Sequence, residues 1–193
     1  FFSYYAREMR TDNSIEIWLS KDDKDLEYYK TFLNKFGDEE FFVVAFSAPD
    51  IFTKDSVQHI NAIAEKLKKL DGVVEVISLA DVFKDKITSP VFKQKIQAQQ
   101  GRSVMNIFKQ QLLADSGYKN TIISKNGKTT AIIATVKSVI PESRRQLVSE
   151  IKKVLYDHKT VTRSNSTNKR SPRYNVTGPS VVNAALDRMS KQD

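Results

Sequence analysis

The stretch from Glu39 to Leu79, EEFFVVAFSAPDIFTKDSVQHINAIAEKLKKLDGVVEVISL, constrains this chain more than any other. Phe41-Phe42-Val43-Val44-Ala45-Phe46 is an unbroken aromatic and β-branched run, which predicts a strand buried on both faces. Thr53 offers an N-cap hydroxyl to the helix that follows. There Val57, Ile60, Ile63, Ala64, Leu67 and Leu70 recur at the three-and-four spacing of one helix face. Asp71-Gly72 ends the helix, and Val73, Val74, Val76 and Ile77 make a second strand. Strand, helix and strand of these lengths predict a right-handed βαβ crossover with its helix packed on a sheet.

The flanking chain extends this unit. Ser14 to Leu19 alternates, with Ile15, Ile17 and Leu19 on one side of an expected strand. Asp22 or Asp23 caps a helix bearing Leu26, Tyr29, Phe32, Leu33 and Phe36, stopped by Gly37. Downstream, Ser89-Pro90 starts one short helix and Ser103 a second, closed by Gly101 and Gly117 respectively. Ile122-Ile123, Asn126-Gly127 and the alternating run from Thr129 to Val136 predict a hairpin with a type I′ turn. Pro141 starts a helix with Leu147, Val148, Ile151, Val154 and Leu155 inward, expected over 141–156. The basic segment 159–173, KTVTRSNSTNKRSPR, is expected to be a surface loop. Tyr174 to Thr177 is a last strand, broken by Gly178-Pro179, with a closing helix from Ser180 to Met189.

Strands 41–46, 73–78, 129–137 and 174–177 with helices 54–70 and 141–156 spell βαββαβ. The expected fold class is therefore α+β and ferredoxin-like, with a helical insertion, an extra strand before the third, and an N-terminal strand–helix extension. A single domain over 1–193 is expected: an extension at 1–37, a core at 38–79 and 120–178, an insertion at 80–119 and a terminal segment at 179–193.

Composition narrows the class. With 193 residues the chain can bury a proper core, and no apolar run approaches the roughly 20 residues that span a bilayer. There are no cysteines, which excludes a disulfide scaffold and a thiolate metal site. The formal charge of +8 fits nucleic acid, anionic lipid or plain solubility. The opening Phe1-Phe2-Ser3-Tyr4-Tyr5 fits either the interfacial belt beside a membrane helix or a chain terminus without fixed structure.

Catalytic chemistry is not legible. No phosphate loop, HExxH motif or nucleophile elbow occurs. Asp22-Asp23-Lys24-Asp25 lacks the glycine and terminal glutamate of an EF-hand, so helix capping explains it better. His59 is expected on the outer face of the 54–70 helix and His158 at a helix end, both structural or solvated. Asn165-Ser166-Thr167 and Asn175-Val176-Thr177 match a glycosylation triplet that arises often by chance. Accordingly no catalytic, cofactor-binding or metal-binding residue is assigned, no cofactor is expected, and the chain is not read as an enzyme. An RNA-recognition motif would place aromatics on the third strand, but Thr129–Lys137 has none, so nucleic acid is disfavoured as a partner.

Several segments in order then resemble a known family. They are Thr11-Asp12-Asn13-Ser14-Ile15-Glu16-Ile17-Trp18-Leu19; Phe36-Gly37-Asp38-Glu39-Glu40 running into FFVVAF; and Asp50-Ile51-Phe52-Thr53. LDGVVEVISLADV (70–82), SKNGKTTAIIATV (124–136), Val176-Thr177-Gly178-Pro179-Ser180-Val181-Val182-Asn183 and Asp187-Arg188 complete the set. The set resembles the extracytoplasmic loop domain between the first two membrane helices of resistance-nodulation-division (RND) exporters, in the MmpL-like branch. Only 85–117 and the basic segment fall outside it.

The resemblance implies a porter-type domain at the extracytoplasmic (periplasmic) face of the cell membrane, part of an integral membrane protein. Its implied partners are transmembrane helices and a second extracytoplasmic domain of the same polypeptide, within an oligomer of the full-length protein. The implied substrate is hydrophobic, amphiphilic or lipid-like, moved by a proton-driven membrane bundle whose coupling acids this chain does not contain. Both chain ends would then lie on one side of the domain. No substrate-path residue is assigned. Val91, Phe92, Ile96, Val104, Ile107 and Phe108 of the insertion either pack on the sheet, the favoured reading, or line that path. The alternative class is a stand-alone ferredoxin-like binding or regulatory module, including an RNA-binding one.

Overall fold

A computed structural model describes residues 23–36, 39–99, 101–137, 141–164 and 172–189. The expected strand 14–19, the aromatic start, Gly37 and segment 165–171 lie outside these residues, as do both chain ends. Among the described residues the chain is α+β, with a four-stranded antiparallel sheet and seven helices. In order they are α1 (Lys24–Phe36), β1 (Glu39–Ser47), α2 (Lys54–Leu67), β2 (Val73–Ile77), α3 (Leu79–Thr88), α4 (Pro90–Ala98) and α5 (Val104–Ala114). Then follow β3 (Thr129–Lys137), α6 (Pro141–Ser164), β4 (Arg173–Thr177) and α7 (Pro179–Met189).

The strand order is β2-β3-β1-β4. Since β1 and β2 are each antiparallel to β3, they run parallel to one another with β3 between them. In the same way β3 and β4 flank β1. Helices α2 and α6 supply the long connections, and both pack on one face of the sheet. Ile60, Ile63 and Leu67 of α2 and Leu147, Ile151 and Leu155 of α6 share a buried cluster with Phe42, Val44, Phe46, Ile132, Ala134 and Val136.

The expectation that β1 is buried on both faces is corrected. Phe42, Val44 and Phe46 are fully buried, whereas Phe41 is 47% exposed and Val43 and Ala45 are only partly covered. An antiparallel sheet with helices on one side leaves its other face wetter. The unbroken apolar run conceals this alternation because its outward residues are apolar too. Register carries the outer stripe across strands: Val43 opposes Ile133, and Ile133 opposes Ile77.

Local chemistry accounts for the element ends. The Asp23 side chain accepts from the Asp25 amide at the start of α1, where Leu26 is buried and Phe32 is mostly exposed. Thr53 Oγ1 accepts from the Ser56 amide at 3.1 Å, capping α2. Ser78 caps α3 through the Asp81 amide. This third helix follows β2 directly and lies ahead of the expected helix start at Ser89; its Ser-x-x-Asp cap is the signal for it.

Two further expectations change. Asn126-Gly127 does not form a type I′ turn, which needs positive φ at both central residues. Only Gly127 has it (+63°), and the turn runs from Ser124 to Gly127, closed by the Gly127 amide on the Ser124 carbonyl at 2.9 Å. Opposite β3 the chain makes isolated bridges at Ile123, not the extra strand. Helix α6 continues to Ser164, so 159–164 are helical and not loop. A buried-side ion pair, Arg144 Nη2 to Glu40 Oε1 at 2.7 Å, ties the start of α6 to β1.

Gly178, between β4 and α7, has φ +127°, and a Cβ there would sit 2.7 Å from the Phe41 carbonyl oxygen and 2.9 Å from Phe42 Cα. Gly72 also has positive φ (+83°) but open space around it. Gly178→Ala should therefore cost about 3 kcal/mol or more and Gly72→Ala about 1 kcal/mol, read from urea midpoints at unchanged m-value. Equal costs at both positions would contradict the close approach at Gly178.

Candidate functional site

The helices α3, α4 and α5 form a lobe at the β2 end of the α2 connection. Phe92, Ile107, Phe108 and Leu112 are buried in the same cluster as the sheet. Phe108 is the hub, with its ring centroid 4.9 Å from Phe83, 5.9 Å from Phe52 and 6.5 Å from Phe92, each near edge-on. Such edge-to-face pairs add to the burial of the rings themselves. Of the six insertion residues that could have lined a substrate path, Phe92, Ile107 and Phe108 pack into the core and Ile96 packs against it. Val91 stays exposed, and Val104 lies at the edge of exposure.

Polar contacts at the rim of the lobe join it to the β1–α2 connection and to the end of α2. Lys109 Nζ meets Asp50 Oδ2 at 3.1 Å and lies 5.6 Å from the Phe52 ring centre. Lys68 at the end of α2 reaches Asp81 of α3 at 3.1 Å and Glu65 at 3.2 Å. Two open clefts mark the lobe surface. One of about 400 Å³ is lined by Arg102, Asn106, Lys109, Gln110 and Leu113. The other, about 530 Å³, includes Lys86, Lys95, Gln99, Gln110, Gln111 and Asp115. Polar and cationic side-chain ends ring both clefts, but the walls of the first are mostly apolar, including Leu113, and those of the second are evenly mixed.

The structure brings together what the sequence left apart. His59 of α2 is half-buried, not on an outer face, and its Nδ1 lies 3.1 Å from Nε2 of His158 on α6. The rings cross at 84° with centroids 5.2 Å apart. His158 is buried, and the Tyr174 ring of β4 stands edge-on 6.2 Å from it. Burial, then the charges of His59 and Lys66, push His158 down to about 4. Burial pushes the Tyr174 hydroxyl up to about 12. The signal available in sequence was that His59 falls three residues after buried Ser56 and four before buried Ile63. Nothing local, however, pairs it with His158.

This arrangement can share a proton between the two rings. Among the described residues no group of three or more His, Cys, Asp or Glu side chains converges as a metal site. No described helix is long and apolar enough to cross a membrane. The outer face of β3 carries Thr129, Ala131, Ile133 and Thr135 and no ring, while the half-exposed ring of Phe41 on β1 opposes Thr135.

Because the lobe shares the sheet's core, Phe108→Ala should destabilise the whole chain by about 3–5 kcal/mol in one transition. Val91→Ser should stay within about 0.5 kcal/mol. Circular dichroism during urea unfolding checks both. A separate early transition in Phe108→Ala would mean that the lobe unfolds independently. Compared with known proteins, the chain matches no family model and no curated protein.

Proposed function

We propose that this chain is the extracytoplasmic domain of a proton-driven RND-superfamily exporter, helping to move hydrophobic or lipid-like substrates across or away from the membrane. The observation that carries the reading is the ordered motif set from Thr11 to Arg188. The sheet order β2-β3-β1-β4 is compatible with it, being what two interleaved βαβ units produce in a ferredoxin-like porter subdomain.

On this reading the domain's contribution is mechanical. A sheet, two connecting helices and a lobe with one common core move as a body, which is what alternating access asks of a part outside the membrane. Proton coupling belongs to membrane helices of the parent polypeptide. The half-exposed stripe of Phe41, Val43, Ile133 and Ile77 on the outer sheet face is a surface that a second extracytoplasmic domain of that polypeptide would cover.

The chain contains no cysteine, so a single Lys125→Cys substitution in the exposed turn gives a clean reporter in the full-length gene product. In spheroplasts a membrane-impermeant maleimide should label it without lysis, above the level of the same protein lacking that cysteine. Labelling only after lysis, or recovery of the gene product in the soluble cytosolic fraction, overturns the proposal.

A further inference from the structure

The two histidines, 99 residues apart in sequence, meet at the seam between α2 and α6. At 3.1 Å the facing nitrogens share a hydrogen bond when one of them carries a proton and the other does not, so the contact couples the tautomers of the two rings. The contact therefore needs one of the two facing nitrogens to be unprotonated. When both rings are imidazolium, two donors and two positive charges face each other across this contact, and the rings part.

We infer that the His59–His158 contact is a proton-operated latch that holds the C-terminal half of α6 against α2 and β4. The other half of α6 is held differently. Its first turns are tied to β1 by Arg144 and Glu40, and Leu147, Ile151 and Leu155 enter the core. Opening is thus polarised, with the end beyond Leu155 swinging and the beginning staying docked. A groove of about 310 Å³ already runs between α6 and β4, lined by Lys152, Leu155, Tyr156, Tyr174, Asn175 and Val176, and release of α6 would widen it.

The groups around the pair favour release in acid. From α2, the cation of Lys66 opposes a charge on His158. From β4, Tyr174 stays neutral through the range concerned. On α6 itself the neighbouring Asp157 is exposed. Since the closed value for His158, about 4, lies below the ordinary 6.5, the open state takes up the proton first. The latch is at full strength above about pH 6.5 and is lost as pH falls towards about 4. The inference does not rest on the exporter reading.

The test is amide hydrogen exchange on the 193-residue chain at pH 7 and pH 5, corrected for intrinsic exchange chemistry. Protection over 155–164 should fall roughly twentyfold, while β1 and β3 amides keep theirs. His158→Phe should abolish the response. His59→Gln should shrink it, because an amide oxygen can accept from a protonated His158. An equal loss across the sheet, no loss in α6, or an unchanged response in His158→Phe overturns the latch. Should His158→Phe fail to fold, an NMR titration of the unmodified chain decides: a His158 ring titrating well below 6.5 supports the latch, and one at or above 6.5 overturns it.

Discussion

The structure depends on the position of β1. It is the one strand bonded on one side to β3 and on the other to β4, so its inner residues Phe42, Val44 and Phe46 meet side chains from every layer. Its partners arrive from residues 129–137 and 173–177, which makes the sheet a long-range assembly that no local segment can complete. The close approach at Gly178 follows from this centrality. The link from β4 into α7 must pass over the backbone of Phe41 and Phe42, leaving no room for a Cβ.

The same constraint explains why the helical lobe is not an appendage. Helices α3 to α5 lie between β2 and β3, two strands that must become neighbours, so the lobe's ends are held by adjacent strands. Phe108 then continues the sheet's core through Phe52 and Phe83. Rings buried this way contribute about 2–3 kcal/mol each before any geometric preference is added. The largest apolar side chains of α4 and α5, Phe92, Ile107, Phe108 and Leu112, are already used inside.

Periodic features were legible and two-sided ones were not. The inner face of α2 and the strand at Thr129–Lys137 could be read because spacing alone defines them. The one-sided burial of β1 could not, since Phe41 and Val43 are as apolar as Phe42 and Val44. Asn126-Gly127 suggested a two-residue turn, but Ser124 captures the Thr129 amide with its hydroxyl and lengthens the loop. The length of α6 was hidden by the polar composition after His158. Within the candidate site, Tyr174 was visible only as a strand residue. Its placement beside His158 depends on register between β4 and β1, where it opposes Phe46.

Helix α6 shows how apolar and polar contacts divide their work. Its apolar stripe supplies most of the docking energy, yet such a stripe tolerates small rotations and slides because dispersion contacts are non-directional. The two polar contacts near its ends are directional and differ in chemistry. A guanidinium keeps its charge at any accessible pH, so the Arg144–Glu40 tie retains its cation throughout. An imidazole pair holds only while one ring can accept. On the proposed latch, a helix held at its start by the core and the Arg144–Glu40 pair and conditionally beyond Leu155 has a built-in pivot. Here the conditional end is the one that faces the edge strand β4.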